Sequence, residues 1–419
     1  MKQRILAVAR RCTPAAVFSC LFLLSVATVC AFLLRALRTN DRISSVADLP
    51  RTVAEICKKS FPRKNVFVAA GGLAARAIGR RMCNNRVLLR NGHIGFVRCH
   101  VGDVRGKAAR EIAFSRFLAR RGIPFLHVQA PTGLDLERML VSPVCDCNAN
   151  EKAEEFVAQL RLGGVDVIDL IPRFAATADD VTRNFLKTDH HWNYDAAFEA
   201  SEILAEHLAE KLRLPVADDK DVLCRMEWLR NQRNQWRSGG HAYRTGPLFA
   251  GVDDISWHVL ASDATFSRVM YDRNGVIHRK SGKFEDVFVN AKVVQSCNWF
   301  ADSAYVVFSK IAFIAVFKNP SALADRTVLI LGDSFARPVP AYLSKVFARV
   351  VIVDPRHFRE CRAFKGRTLS ALVSETRPDV VVQFMNPTSL GADMGDAGLG
   401  RAEITDRMFD YGLSDGESL

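Results

Sequence analysis

Val328-Leu329-Ile330-Leu331-Gly332-Asp333-Ser334-Phe335-Ala336 runs four apolar residues into Gly-Asp-Ser and then straight back into apolar side chains. A short unbroken apolar run bounded by turn residues is the pattern of a strand buried on both faces, as in a parallel sheet covered by helices. The segment reads as strand, tight turn, helix. That order sets the Ser334 hydroxyl at the carboxyl edge of a sheet, where open α/β folds place their ligand crevice. The helix expected to follow would aim its first N–H groups at the same spot, where they can hold an oxyanion. Gly332 lets the backbone turn tightly beside the hydroxyl. A plain turn and N-cap uses the same tripeptide, so Gly-Asp-Ser needs a partner before it implies chemistry.

Outward from this point the α/β rhythm repeats. Residues 107–121 have helical apolar spacing and stop at Gly122; Ile123 to Ala130 follows as a strand and breaks at Pro131. Glu151 to Leu162 is a second helix, ended by Gly163 and Gly164, and Val165 to Ile171 a second strand. Asp195 to Leu212 is helical, with Leu204, Leu208 and Leu212 four apart. Thr327 to Leu331 is a strand, Val339 to Arg349 a helix, and Val350 to Val353 and Asp379 to Phe384 are strands. Between these blocks, 214–319 is rich in Gly, Asn, Arg and aromatics and broken by turns such as Asp272-Arg273-Asn274-Gly275. It reads as an insertion of short strands and loops. The expected fold class is α/β: a parallel sheet flanked by helices, with a β/loop-rich insertion and an N-terminal transmembrane helix. The expected domains are a cytoplasmic stub and membrane anchor (1–42), one catalytic domain (60–388, with the 214–319 insertion) and a polar tail (389–419).

The anchor rests on charge. Lys2, Arg4, Arg10 and Arg11 precede a charge-free run from Pro14 to Leu34, and Arg35, Arg38 and Arg42 close it. About 20 uncharged residues match a bilayer's hydrocarbon thickness. A cleaved signal peptide is the other reading, but Cys30-Ala31-Phe32-Leu33-Leu34 fits a small-x-small cleavage site poorly. With no second span following, the expectation is a single-pass inner-membrane protein with its catalytic domain in the periplasm. Val306 to Phe317 is interrupted by Ser309 and Lys310 and reads as core.

The 419 residues carry a formal charge of +13. Basic residues are scattered, without a zinc-finger or RNA-binding signature, which argues against nucleic acid and leaves an anionic membrane face or an acidic polysaccharide. Of the 11 cysteines, Cys12, Cys20 and Cys30 lie in or near the anchor. The rest allow too many pairings to choose one, although Cys145 and Cys147 are conspicuously close.

The second chemical signal is Lys187-Thr188-Asp189-His190-His191-Trp192-Asn193. A serine hydroxyl is a poor nucleophile until a base takes its proton, and a carboxylate commonly orients that base. In extended backbone, Asp189 and His191 lie on one side. The carboxylate can then hold Nδ1–H of His191 and leave Nε2 for Ser334. Asn193 is a helix N-cap candidate. A metal site of Asp189, His190 and His191 competes, weakened because adjacent histidines diverge in a strand; a purely structural stretch is the third reading.

Asp189-His190-His191-Trp192, followed far downstream by Gly332-Asp333-Ser334-Phe335-Ala336, resembles the SGNH-hydrolase-like domain of the alginate O-acetyltransferase group (the AlgX/AlgJ, DHHW type). The resemblance spans roughly 65–388, helped by Gly122-Ile123-Pro124-Phe125, Ala130-Pro131, Gly164 to Leu170, Asn298-Trp299 and Arg377 to Val382. It implies an SGNH-like fold with Ser334 as nucleophile, His191 as base and Asp189 as its orienter; His190 falls in a variable slot. Ordinary SGNH esterases carry the serine block first, whereas the alginate-type enzymes share the order found here. The implied function is O-acetyl transfer onto a cell-surface or secreted polysaccharide, without a cofactor or metal, from a donor supplied through a membrane-embedded partner. A carbohydrate acetyl-esterase, and a non-catalytic polysaccharide-binding protein, are the alternatives. Asn386 is a substrate-binding candidate by position at the end of the last strand; beside Pro387 it also reads as a turn residue. Trp228, Trp236, Tyr243, Arg244 and Trp257 are candidates for a sugar groove, or for core.

Overall fold

The computed structural model describes residues 31, 64–133, 146–215, 221–296, 305–308, 313–393 and 406–413. The run 14–34 expected to span the membrane lies outside the described residues but for Ala31, as do Cys145 and Asn298-Trp299. Among the described residues no helix is long and apolar enough to cross a membrane. Ala69–Leu419 forms one compact unit; of Met1–Val68, only Ala31 and the first turn of a helix are described.

In chain order, α1 (Lys64–Ala77) leads into a small antiparallel sheet of β1 (Met82–Cys83), β2 (Arg86–Leu88) and β3 (Ile94–Phe96). Then come β4 (Arg98–Cys99), α2 (Arg105–Ala119), β5 (Phe125–Gln129) and β6 (Asp146–Cys147), the last paired with β4. They are followed by α3 (Ala149–Leu162), β7 (Asp166–Asp169), α4 (Tyr194–Lys211), β8 (Trp228–Arg237), α5 (Gly240–Thr245) and β9 (Asp253–Leu260). The chain continues through β10 (Phe266–Tyr271), β11 (Ile277–Gly282), β12 (Ile314–Lys318) and β13 (Ala324–Gly332). Last are α6 (Val339–Leu343), β14 (Phe347–Val353), α7 (Leu369–Thr376) and β15 (Val380–Met385).

The central sheet has eight strands in the order β11-β10-β12-β14-β13-β15-β5-β7. From β14 to β7 all neighbours are parallel. Side chains alternate between its two faces. Val328, Ile330, Val380, Val382, Leu126 and Val128 pack on one side with α4. Leu329, Leu331, Val381 and Met385 pack on the other with α2, α3 and α7. Burial on both faces is why these strands read as continuous apolar runs.

Three expectations need correction. The sheet is mixed: β12 is antiparallel to β14, and β10 to both β12 and β11. Part of the 214–319 segment, read as an insertion of short strands and loops, therefore extends the sheet itself. Its outermost strand, β11, is almost wholly exposed and carries His278, Arg279 and Lys280, so it lacks the apolar signal of a core strand. The helix expected over 339–349 ends at Leu343, and β14 begins at Phe347. Finally, 389–419 is more than a polar tail: Met408, Phe409 and Tyr411 are buried, and the Tyr411 ring stacks on Phe114 at 4.0 Å. Three apolar side chains within four residues are too few to show a period.

Candidate active site

Ser334 lies at the carboxyl end of β13, between strands β14 and β15. The turn is tight: a side chain on Gly332 would place its Cβ 2.6 Å from the Ala336 Cβ. Asp333 caps the turn, one carboxylate oxygen accepting from the Phe335 N–H at 2.9 Å. Its other oxygen, Oδ2, accepts from the Asn386 N–H (2.8 Å), Asn386 Nδ2 (2.5 Å) and Ser389 Oγ (2.7 Å). Asp333 thus ties the serine turn to the end of β15. Asn386 serves as the other half of that tie: its Oδ1 accepts from the Thr388 N–H and hydroxyl at 2.9 and 2.5 Å. The expected helix after the serine is a single 3-10 turn, Ser334–Ala336, so little dipole is aimed at the hydroxyl.

The histidine comes from the segment leading into α4, which packs in the same core as Phe335 and Ala336. Phe185 and Trp192 bridge in antiparallel fashion, and the Leu186 N–H donates to the His191 carbonyl at 3.0 Å, closing a turn over 187–191. Asn193 caps α4, its side chain accepting from the Ala196 N–H at 2.9 Å. Trp192 is fully buried and donates from Nε1 to the Tyr305 hydroxyl at 2.8 Å, and that hydroxyl donates to the Phe335 carbonyl at 3.1 Å. One indole and one phenol therefore join the histidine segment to the serine turn.

The three side chains singled out in the sequence meet here. His191 Nε2 lies 2.7 Å from Ser334 Oγ, and His191 Nδ1 lies 2.6 Å from Asp189 Oδ1. Asp189 Oδ1 also accepts from the His191 N–H at 3.2 Å, and Oδ2 from the Gly240 N–H at 2.6 Å. Burial alone would raise the Asp189 carboxyl. Electrostatic interaction with the neighbouring His191 and His190 rings and the hydrogen bond from His191 outweigh it and hold the group well below the usual carboxylate range. Asp189 is an anion in contact with one imidazole nitrogen while the hydroxyl sits on the other. That is the arrangement in which a histidine can take a proton from a serine.

Two features were not legible in the sequence. The His191 ring stacks on Tyr305 at 4.2 Å with 7° between planes, and Tyr305 stacks in turn on Tyr194 at 5.0 Å. This pile fixes the imidazole plane. Beneath Asp189, the buried Asp253 accepts from the Lys187 N–H (2.5 Å), the Thr188 N–H (3.1 Å) and the Thr188 hydroxyl. Thr188 Oγ1 accepts from the Gly239 N–H at 2.6 Å. The Gly239-Gly240 pair is the one visible hint, since two glycines permit close backbone approach.

Burial pushes the Asp253 carboxyl up to about 7, opposed by hydrogen bonds from Thr188 and Lys187 and reinforced by the Asp189 charge. The folded state thus holds a proton that the unfolded chain, with a carboxyl near 3.8, releases earlier. The stability this confers is complete below pH 3.8 and is lost as pH rises through about 7. Asp253→Asn is expected to flatten that decline, read as urea midpoints at a series of pH values between 4 and 8. An unchanged slope would assign the decline to other groups.

His190 Nδ1 lies 3.2 Å from Asp189 Oδ1, with its ring 3.9 Å from that of His191. Adjacent histidines were expected to diverge, but the segment is a turn and both rings face the same way. Nitrogen and oxygen donors of Asp189, His190 and His191 lie within 4.8 Å of one another, a spacing that also suits a metal ion. In this arrangement the same atoms satisfy each other: both His191 nitrogens are engaged, one by a carboxylate and one by a hydroxyl. Desolvation and the neighbouring His191 push His190 down to about 3, leaving it neutral. The three tryptophans considered for a sugar groove, Trp228, Trp236 and Trp257, are buried; Tyr243, on α5, is 52% exposed.

Residues 104–234 match the family model of the SGNH hydrolase-like domain of acetyltransferase AlgX. The resemblance read from the motifs is borne out there; the match includes Asp189 and His191 and ends before Ser334. No curated protein sequence matches the chain. Among solved structures, PatB1 of Bacillus cereus with a sulfonyl adduct is similar at 18% identity and a TM-score of 0.60, covering 74% of this chain and 98% of that one. A DHHW family protein from Eubacterium siraeum is similar at 15% identity and a TM-score of 0.51, covering 78% and 96%. At these identities the likeness is one of fold.

Proposed function

We propose that this chain, an SGNH hydrolase-like protein of the AlgX type, is an O-acetyltransferase acting on a cell-surface or secreted polysaccharide through an acetyl-Ser334 intermediate. The observation that carries the reading is the run of contacts from Ser334 Oγ through His191 to Asp189. Ser334 Oγ attacks the acetyl carbonyl while His191 Nε2 takes its proton. The donor's leaving oxygen then departs with that proton, leaving the acetyl ester on Ser334. A sugar hydroxyl next gives its proton to His191, attacks the ester and leaves acetylated, and the proton returns to Ser334. Asp189 stabilises the imidazolium at both stages. The Ser334 N–H serves as an oxyanion donor. The uncharged run 14–34 favours a membrane-anchored protein with this domain outside the cytoplasm, its acetyl groups supplied through a membrane-embedded partner.

The test uses the purified full chain, an acetyl ester donor, and oligosaccharide present or absent. Acetyl transfer predicts an acetylated Ser334 peptide that is discharged by oligosaccharide with stoichiometric sugar acetylation. Acetate released at the same rate with and without acceptor identifies an esterase instead. A sulfonyl fluoride is expected to label Ser334; no labelling and no acetyl-enzyme would sink the catalytic reading.

A further inference from the structure

Helix α1 is inverted relative to an ordinary surface helix, which turns its apolar stripe inward and its polar face to water. Its inward side is made of small residues. Ala69 is buried, Ala75 packs against the small apolar cluster that includes Phe249 and Ala242, and a Cβ on Gly72 would lie 2.0 Å from the Thr245 carbonyl. The other side, turned to solvent, carries Ala70, Leu73, Ala74, Ala77 and Ile78 at helical spacing, with Met82 just beyond. Leu73 is 51% exposed, Ile78 69% and Met82 40%; in the first turn Val66 and Phe67 are exposed as well. The close seat at Gly72 prevents the helix from rolling to bury this stripe.

Charge identifies what covers it. Between Ile56 and Gly102 there is no Asp or Glu, while Arg76, Arg80 and Arg81 flank the stripe and are exposed. An apolar stripe edged only by cations is the composition of a helix lying in an anionic lipid interface. Twenty-nine residues, 35–63, separate the uncharged run 14–34 from Lys64. Even fully extended, a connector of that length reaches no further than roughly 100 Å, so a membrane-inserted run keeps the helix close to the bilayer.

We propose that the Leu73–Ile78 face of α1 docks on the anionic lipid surface next to the chain's own anchor, holding the domain against the membrane. The proposal does not depend on the acetyl-transfer reading. The test reconstitutes the full chain in vesicles of phosphatidylethanolamine and phosphatidylglycerol containing a diazirine-bearing phospholipid, then maps photo-adducts by peptide mass spectrometry. Adducts are expected in the peptides covering 67–82 as well as in 14–34. The doubly substituted Leu73→Glu, Ile78→Glu chain should lose the former about tenfold and keep the latter. Both positions are exposed, and an unchanged melting temperature confirms that this variant is folded. Adducts confined to 14–34, or equal labelling of 67–82 in the variant, overturn the proposal. So does crosslinking of the Leu73 peptide to a second copy or to another protein in native membranes in place of lipid.

Discussion

Replacing Ser334 by Ala is expected to lower acetyl transfer by roughly a hundred-thousand-fold or more, with folding intact. His191→Ala should cost nearly as much, because the imidazole is the base in contact with Ser334 Oγ. The two losses should not add. Residues that act as one unit are grossly non-additive, so the double variant should be no worse than either alone. Single-turnover measurement of acetyl-enzyme formation separates this from a structural effect, and far-ultraviolet circular dichroism and melting temperature check the fold. A double variant far slower than both single variants would mean that the two side chains act independently, and the proposed relay would fall.

The second large effect comes from Gly239→Ala. A methyl group there would stand 2.4 Å from the Asp189 Cβ, 2.6 Å from the Thr188 carbonyl and 2.7 Å from Asp189 Oδ2. None of these can give way cheaply. The Thr188 carbonyl is backbone and accepts from the His241 N–H at 3.0 Å, while Asp189 is held on both oxygens. Gly239 has φ −89°, which alanine adopts freely, so the penalty is steric rather than conformational. Forcing the loop aside should cost about 1–3 kcal/mol of stability and, by moving Asp189 and His191 about 1 Å, roughly a hundredfold in rate. Gly240→Ala is the internal control. There a Cβ meets Asp189 Oδ2 at 3.4 Å, an ordinary contact, and the N–H donated to that oxygen remains. Comparing rate and urea midpoint for the two variants tests the idea; equal behaviour would show that the close packing of Gly239 on Asp189 does not matter.

Much of this was legible from the sequence because it is local. The parallel strands and the helices at 105–119, 149–162 and 194–211 announce themselves by unbroken apolar runs, helical spacing and glycine stops, and their observed limits lie within a few residues of those expected, whereas the helix expected over 339–349 stops at Leu343 and Leu369–Thr376 was not expected. Ser334, His191 and Asp189 stood out because each sits in a short motif with a chemical rationale. What escaped was set by tertiary contact. Tyr305 carries no motif of its own, and its stack on His191 exists only once residues 113 or more apart in the chain have met, as the Trp192 bond to its hydroxyl shows. Asp253 lies on a strand that pairs with β8, and only its depth beneath Thr188 makes it distinctive. Asn386 was placed at the right strand end, but position alone did not reveal that Asp333 would take its amide.

Strand β15 follows all its sheet neighbours in the chain, yet it is interior, with β13 on one flank and β5 on the other. Until Val380–Met385 slots in, the half bearing the hydroxyl and the half bearing the imidazole have no sheet joining them. Long-range pairings of this kind form late and slowly. The proposed relay is therefore expected to assemble only after Val380–Met385 has been made. A nascent or clipped chain that contains Asp189, His191 and Ser334 but lacks Val380–Met385 should be inert, a delay built into the order of the strands.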